Sequence, residues 1–277
     1  MNINNLTAGK FSTPAFQTRI NAVWFNGKIT DAQRECLAAF TAVWLLYNRI
    51  PGRNVPVSWL AYILATTYHE TAATMRPIAE YGRGKGRPYG KPDPQTGQTY
   101  YGRGYVQLTW KDNYQRAQDV VINLSTLAHD VPLVMQPDLA MKAVYAAQIA
   151  INGMVDGWFT GKKLGDYLTA NKTDYVNARR IINGTDKAET IASYAREAEA
   201  AIRLALGEGI TRSLVKDGSR GDDVRELQLM LGIAADGIAG NNTAKAIRAF
   251  QSAHGLDDDG KCGKNTWAAL DAEVYGL

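Results

Sequence analysis

Two glutamates ten residues apart each sit in a setting suited to acid–base work. Glu70 closes the run Tyr68-His69-Glu70-Thr71, after Val57, Leu60, Leu64 and Tyr68 have repeated at helical spacing. That spacing predicts a helix over 57–72, with Glu70 off the main stripe but on the face of Trp59 and Ile63. A carboxyl group on a partly apolar face, at the negative end of a helix dipole, is favoured in its protonated form and can donate a proton. Glu80 follows Pro77 and opens a loop, and Arg76, Arg83, Lys85 and Arg87 around it favour its ionised form. A proton donor paired with an ionised carboxylate is what hydrolysis of a glycosidic bond requires. Spacing alone does not establish such a pair, because surface glutamates ten residues apart are common.

Other chemistries are excluded more directly. A zinc site of the HExxH type needs histidine at position 73, which is Ala73, and the chain has only His69, His129 and His254. There is no GxSxG, no Walker A sequence and no cysteine beside a histidine, so no nucleophile–base constellation is legible. No metal and no cofactor is expected. Cys36 and Cys262 are far apart and lack CxxC spacing, which reads as free or buried thiols.

Downstream of the two glutamates lies Tyr100-Tyr101-Gly102-Arg103-Gly104-Tyr105-Val106-Gln107-Leu108-Thr109-Trp110, then Asn113-Tyr114. With the upstream His69-Glu70-Thr71 and the later Ile181-Ile182-Asn183-Gly184, this combination resembles glycoside hydrolase family 19 over roughly residues 35–205. That family comprises plant-type chitinases and the compact lysozyme-like endolysins of phages. The resemblance implies a lysozyme-like helical catalytic domain. It implies that Glu70 is the general acid, that Glu80 is the second carboxylate, and that Thr109 helps to hold the attacking water. It also assigns Gln107, Asn113 and Asn183 to the sugar cleft. Tyr101 is a candidate for stacking on sugar, and Arg103 either reaches a substrate carboxylate or orients its loop. The family inverts anomeric configuration, which needs about 6.5–9.5 Å between carboxyls. In plant members the second glutamate lies about twice as far downstream, and the residues at Tyr105-Val106 are Pro-Ile. The shorter spacing is similar to phage-type members.

The elements that must position these groups read as mainly α-helical. Helices are predicted over 30–48, 57–72, 111–121, 138–152, 173–183 and 187–206, with 81–110 irregular or a short hairpin. At 277 residues, 45% apolar and 21% charged, the chain has room for one medium domain and a small companion. The companion is marked by a repeat: Asp236-Gly237-Ile238-Ala239-Gly240 recurs as Asp259-Gly260-Lys261-Cys262-Gly263, with a weaker copy at Asp217-Gly218. Asp-Gly is turn chemistry, and each turn precedes a short amphipathic stretch, predicting a three-helix bundle. With Phe250-Gln251 through Gly255-Leu256, the block resembles the type 1 peptidoglycan-binding module, which implies binding to bacterial wall glycan or peptide. The expected division is a catalytic domain over 1–206, a junction at 207–212 and the binding bundle over 213–277.

Charge narrows the substrate. Residues 76–116 hold eight Lys and Arg against three Asp and Glu, whereas residues 210–277 hold eight against ten. A local basic field attracts an anionic polymer. Peptidoglycan, with its lactyl-peptide carboxylates, fits that field better than neutral chitin. The expected partner is therefore bacterial peptidoglycan, the expected bond is that between N-acetylmuramic acid and N-acetylglucosamine, and a monomer is expected. Chitin hydrolysis and non-catalytic wall binding are the alternatives. No nucleic-acid motif accompanies the charge. The longest apolar stretch, eleven residues from Leu37 to Tyr47, is too short to insert in a membrane. Met1-Asn2-Ile3-Asn4-Asn5 has no secretory pattern, which is expected of a protein made in a bacterial cytoplasm and released late, as phage endolysins are.

Overall fold

The computed structural model describes residues 11–277, so the opening Met1–Asn5 lies outside the described residues. The fold is mainly helical and divides into two compact units. The first spans Asp31–Arg196; the described residues of the second are 11–30 and Glu197–Leu277.

In the first unit, α2 (Asp31–Tyr47), α3 (Val57–Glu70), α4 (Lys111–Val120) and α5 (Ala143–Asp156) surround an apolar core. Helix α3 is buried on every side from Leu60 to Thr67, as its nearly continuous apolar run requires. A buried polar cluster ties α2 to α5: Asn152 Nδ2 donates to Tyr47 Oη (2.8 Å), and Tyr47 donates to Gln148 Oε1 (3.1 Å). Gln148 Nε2 then donates to the Ile122 carbonyl at 2.7 Å, so every member of that cluster is satisfied. Two short antiparallel ladders complete the unit. Strand β1 (Ile78–Ala79) pairs with β2 (Arg103–Gly104), with Ile78 opposite Gly104, and β3 (Leu168–Thr169) pairs with β4 (Lys172–Thr173). The helix expected over 173–183 is instead β4 followed by a 3-10 turn at Asn177–Ile181. Asp174 leads into that turn, its carboxylate accepting from the Asn177 backbone N–H at 3.0 Å. A helix α6 of one turn (Leu164–Tyr167) precedes β3, and the last long helix, α7 (Ala188–Ala205), runs across the division between the units.

The second unit is larger than the repeat suggests. Its α8 (Asp222–Met230), α9 (Asn241–Ala253) and α10 (Lys264–Leu270) are the three helices of the repeat, but α1 (Thr13–Trp24) packs with them. Residues 11–30 and 197–212 therefore belong to the C-terminal unit, whereas the 1–206 and 213–277 division assigns them elsewhere. Helix α1 has a legible start: Ser12 caps it, accepting from the Ala15 N–H, and Pro14 occupies the first turn. Phe16, Ile20 and Trp24 form its buried stripe.

At the centre of this unit lies Glu226, fully buried between two arginines. Arg19 of α1 reaches it at 2.7 Å and also contacts Asp223 at 2.7 Å. Arg212 reaches it at 2.8 Å, contacts Asp271 at 2.9 Å and lies over the Trp267 ring. Both thiols are buried, Cys36 with its value pushed up to about 12 by burial and Cys262 raised for the same reason. Among the described residues no helix is long and apolar enough to cross a membrane.

Glu226→Ala leaves two poorly exposed guanidinium groups without their shared partner and should destabilise the unit by about 3–5 kcal/mol. Urea unfolding measures this, and a loss under about 1 kcal/mol would contradict the arrangement. Asp223 supplies a pH signature. Burial acts to raise its value, but the Ser213 N–H and Arg19 outweigh burial and hold it below 3.8. Its stabilisation is therefore present above pH 3.8 and is lost as pH falls through the lowered value. The stability difference between wild type and Asp223→Asn should shrink over that fall; a constant difference would show that the charge is not what stabilises.

Candidate active site

The chain reverses direction immediately after Glu70. Thr71 caps α3, its Oγ1 donating to the Thr67 carbonyl (2.7 Å) and accepting from the Met75 N–H (2.9 Å). Ala72, Ala73 and Met75 all adopt positive φ, at 47°, 63° and 50°, which is uncommon for residues with a side chain. Gln33 of α2 secures the turn by donating to the Ala73 carbonyl at 2.8 Å. This strap delivers the chain to β1 and then to Glu80.

Glu80 is clasped against the Gly/Tyr loop. Its backbone N–H donates to the Gly102 carbonyl (2.7 Å), and its Oε2 accepts from the Gly102 N–H (3.2 Å). Its Oε1 accepts from the Tyr89 hydroxyl at 3.0 Å, a bond that pushes the Tyr89 phenol above its ordinary value. Neutral donors thus orient Glu80, and among the described residues none of the nearby cations is ion-paired to it. On the other side of Gly102 stand Gln107 and Thr109. A Cβ at residue 102 would lie 2.8 Å from Gln107 Oε1 and 3.3 Å from Thr109 Oγ1, so a side chain there would displace the Gln107 amide. Gln107, at φ 53°, donates to the carbonyls of Ile78 (3.0 Å) and Gly104 (3.3 Å). Thr109 Oγ1 donates to the Gln107 carbonyl at 2.8 Å, leaving its lone pairs to accept a hydrogen bond from water. Asn113 Nδ2 donates to the Thr109 carbonyl at 2.8 Å. Glu80, Gln107 and Thr109 are therefore gathered around one glycine, with Asn113 bonded to the Thr109 backbone beyond.

Glu70 belongs to a second grouping. Its side chain is one-third exposed and pairs with Arg179 Nη1 at 2.6 Å. The apolar setting expected for this carboxyl is replaced by a guanidinium contact. Arg179 is itself buried, and its Nε donates to the Asp186 carbonyl at 3.0 Å. Asn183 joins the same turn through its N–H to the Arg179 carbonyl (3.0 Å), with its side chain exposed.

Tyr101 is not exposed as a residue that stacks on sugar would be, and Arg103 takes the second of its two expected roles, orienting its loop. Arg103 is 3% exposed, and its Nε and Nη1 are engaged internally. Nε meets Asp138 (2.8 Å), and Nη1 meets the carbonyls of Thr99 (2.9 Å) and Tyr101 (3.3 Å) and the Tyr114 hydroxyl (3.0 Å). The Tyr101 ring lies under that guanidinium at 3.6 Å and is also buried. Both are frame, not surface. Tyr89 and Arg179, which hold the two carboxylates, were not singled out in the sequence. A tyrosine following the Gly-rich run and an arginine four residues before Asn183 were the available signals.

The second unit has its own repeated geometry. Gln228 Nε2 donates to Asp236 Oδ1 (2.8 Å), the Ile238 carbonyl (3.1 Å) and Thr243 Oγ1 (3.1 Å), while its Oε1 accepts from the Gly237 N–H (2.8 Å). Gln251 makes the same set with Asp259, Lys261, Thr266 and Gly260. Each buried amide thereby closes one Asp-Gly turn onto its helix.

Residues 220–270 match the family model described as Putative peptidoglycan binding domain. Among solved structures, chitinase C from Streptomyces griseus HUT6037 is similar at 18% identity over 75% of this chain and 81% of its own, with a TM-score of 0.45. A bacterial family 19 chitinase is similar at 20% identity over 73% of this chain and 98% of its own, with a TM-score of 0.41. No curated protein sequence matches the chain. Among the described residues, no group of three or more His, Cys, Asp or Glu side chains is placed to hold a metal ion.

Arg103→Lys keeps the charge but cannot reproduce the fork of contacts, and should cost about 2–4 kcal/mol of stability. Denaturant unfolding reads this, and a cost below about 0.5 kcal/mol would mean that the guanidinium does not frame the loop.

Proposed function

We propose that the chain is a peptidoglycan hydrolase of the endolysin type. It cleaves the β-1,4 bond between N-acetylmuramic acid and N-acetylglucosamine with inversion. The observation that carries this reading is the clasp of Glu80 beside Gly102, with Thr109 and Gln107 on the glycine's other face, on a chain whose residues 220–270 match a wall-binding family. In this reading Glu70 protonates the leaving oxygen. Glu80 deprotonates a water that also hydrogen-bonds to Thr109, and the water attacks from the opposite face of the sugar. Gln107, Asn113 and Asn183 line the cleft. Arg179 fixes the direction of the Glu70 carboxyl, and Tyr89 and the Gly102 N–H fix that of Glu80, so little reorganisation is needed at the moment of reaction. The binding module concentrates the enzyme on an insoluble substrate. The protein acts as a monomer on the bacterial wall after release from the host cytoplasm, a role supported by the resemblance to phage-type members.

Glu70→Gln should lower the rate of release of soluble fragments from purified walls by about a thousandfold, and Glu80→Gln by about a hundredfold or more, each with folding intact by circular dichroism. A folded Glu70→Gln protein that still solubilises walls at the wild-type rate would overturn the assignment.

A further inference from the structure

Between Glu80 and Tyr89 the sequence reads Tyr81-Gly82-Arg83-Gly84-Lys85-Gly86-Arg87, with a cation at every second position. The structure gives that alternation a physical reason. Three successive turns overlap, closed by N–H to carbonyl bonds from Arg83 to Glu80 (2.9 Å), Lys85 to Gly82 (2.9 Å) and Arg87 to Gly84 (2.8 Å). The third position of each turn is a glycine at positive φ, 80°, 71° and 80° in order, as such turns demand. The fourth position of each is a cation. The chain of turns is packed rather than loose. A Cβ on Gly84 would lie 2.8 Å from the Gly90 Cα and 3.0 Å from the Tyr89 ring. Both ends are pinned to the Gly/Tyr loop, Glu80 to Gly102 and the Tyr89 carbonyl to the Tyr100 N–H at 3.0 Å.

All three side chains are exposed, as is Lys91 just beyond them. Among the described residues none of these four forms an ion pair, and the nearby acid Asp93 is already held by Lys111 at 2.9 Å. A regular row of uncompensated cations on a fixed backbone repels itself and is stabilised by anions arriving from outside. Its first turn begins at the carbonyl of Glu80 itself.

We propose that Arg83, Lys85 and Arg87 form a rail that binds carboxylates of the peptide-substituted glycan strand beside Glu80. This rests on the glycan-hydrolase reading and deepens it, because the rail selects for strands that carry acidic peptides over neutral ones. Free peptide-bearing strands supply the carboxylates, and a phosphodiester wall polymer is the competing source of negative charge.

The test is binding of the full chain to fluorescently labelled soluble glycan strands, read by anisotropy at low and moderate salt, with cleavage followed in parallel. Strands are used with peptide carboxylates intact or amidated. Wild type should bind intact strands roughly tenfold more tightly than amidated ones at low salt, with the preference fading as salt rises. The triple variant Arg83→Ala/Lys85→Ala/Arg87→Ala should lose that preference. Arg83→Lys/Arg87→Lys, which keeps the charge, should retain most of it, and unfolding temperatures verify that both variants fold. A triple variant that discriminates as wild type does would overturn the proposal. So would a triple variant that loses affinity only for a glycerol-phosphate polymer. Failure of the hydrolase reading shows separately, as absence of cleavage with the binding preference intact.

Discussion

The buried guanidinium of Arg103 is the contact on which the geometry of the first unit depends. It draws together the carbonyls of Thr99 and Tyr101, the hydroxyl of Tyr114 in α4 and the carboxylate of Asp138, and it stacks on Tyr101. An always-charged group that is 3% exposed is tolerable because Nε meets a carboxylate and Nη1 meets two carbonyls and a hydroxyl. The consequence is a loop whose backbone cannot drift. Gly102 sits one residue before that anchor, so its N–H and carbonyl are fixed, and through them so is Glu80. Gln107 and Thr109 pack against the same glycine from the other side. Held this way, the Glu80 carboxylate keeps a constant direction, which is what the proposed general-base role requires of it.

Glu70 is positioned by an independent route. It ends a helix buried on every side, its carboxyl is paired with a buried arginine from a distant turn, and the strap after it accepts three left-handed residues in four. Strain of that kind persists only where surrounding contacts over-determine it; here they are the Thr71 cap and Gln33. The strap thus fixes the path from one carboxylate to the other. The second unit solves a comparable problem with Glu226, where two arginines from outside the repeat converge on one buried acid.

Much of this was legible in the sequence where the cause is local. The Asp-Gly turns declare themselves because turn chemistry needs particular residues, and the offset of 23 that relates them also relates Gln228 to Gln251 and their matching bonds. Helices α2, α3, α4 and α7 follow from periodic apolar stripes. Of the residues named from the sequence, Glu80, Gln107 and Thr109 pack about Gly102, whereas Glu70 and Asn183 belong to the separate grouping at Arg179. What was not legible depends on partners far along the chain. Arg179 meets Glu70 across 109 residues, and Arg19 meets Glu226 across 207. Nothing in the local pattern distinguishes these arginines from surface cations. The role of Arg103 stays open in the sequence for the same reason, since a basic residue between two glycines is decided between loop tip and frame only by Tyr114 and Asp138. Helix α1 was passed over although Ser12 and Pro14 announce it, because its apolar stripe of Phe16, Ile20 and Trp24 is short.

Central to the proposed function is that the protein cuts glycan, not peptide, by direct attack of water. Digestion of purified peptidoglycan, with mass spectrometry of the new ends and immediate NMR of the freshly released sugar, addresses it in a single experiment. The prediction is new N-acetylmuramic acid reducing ends, first released as the α-anomer, with no new free amines. New amines without reducing ends, or a β-anomer released first, would contradict the account.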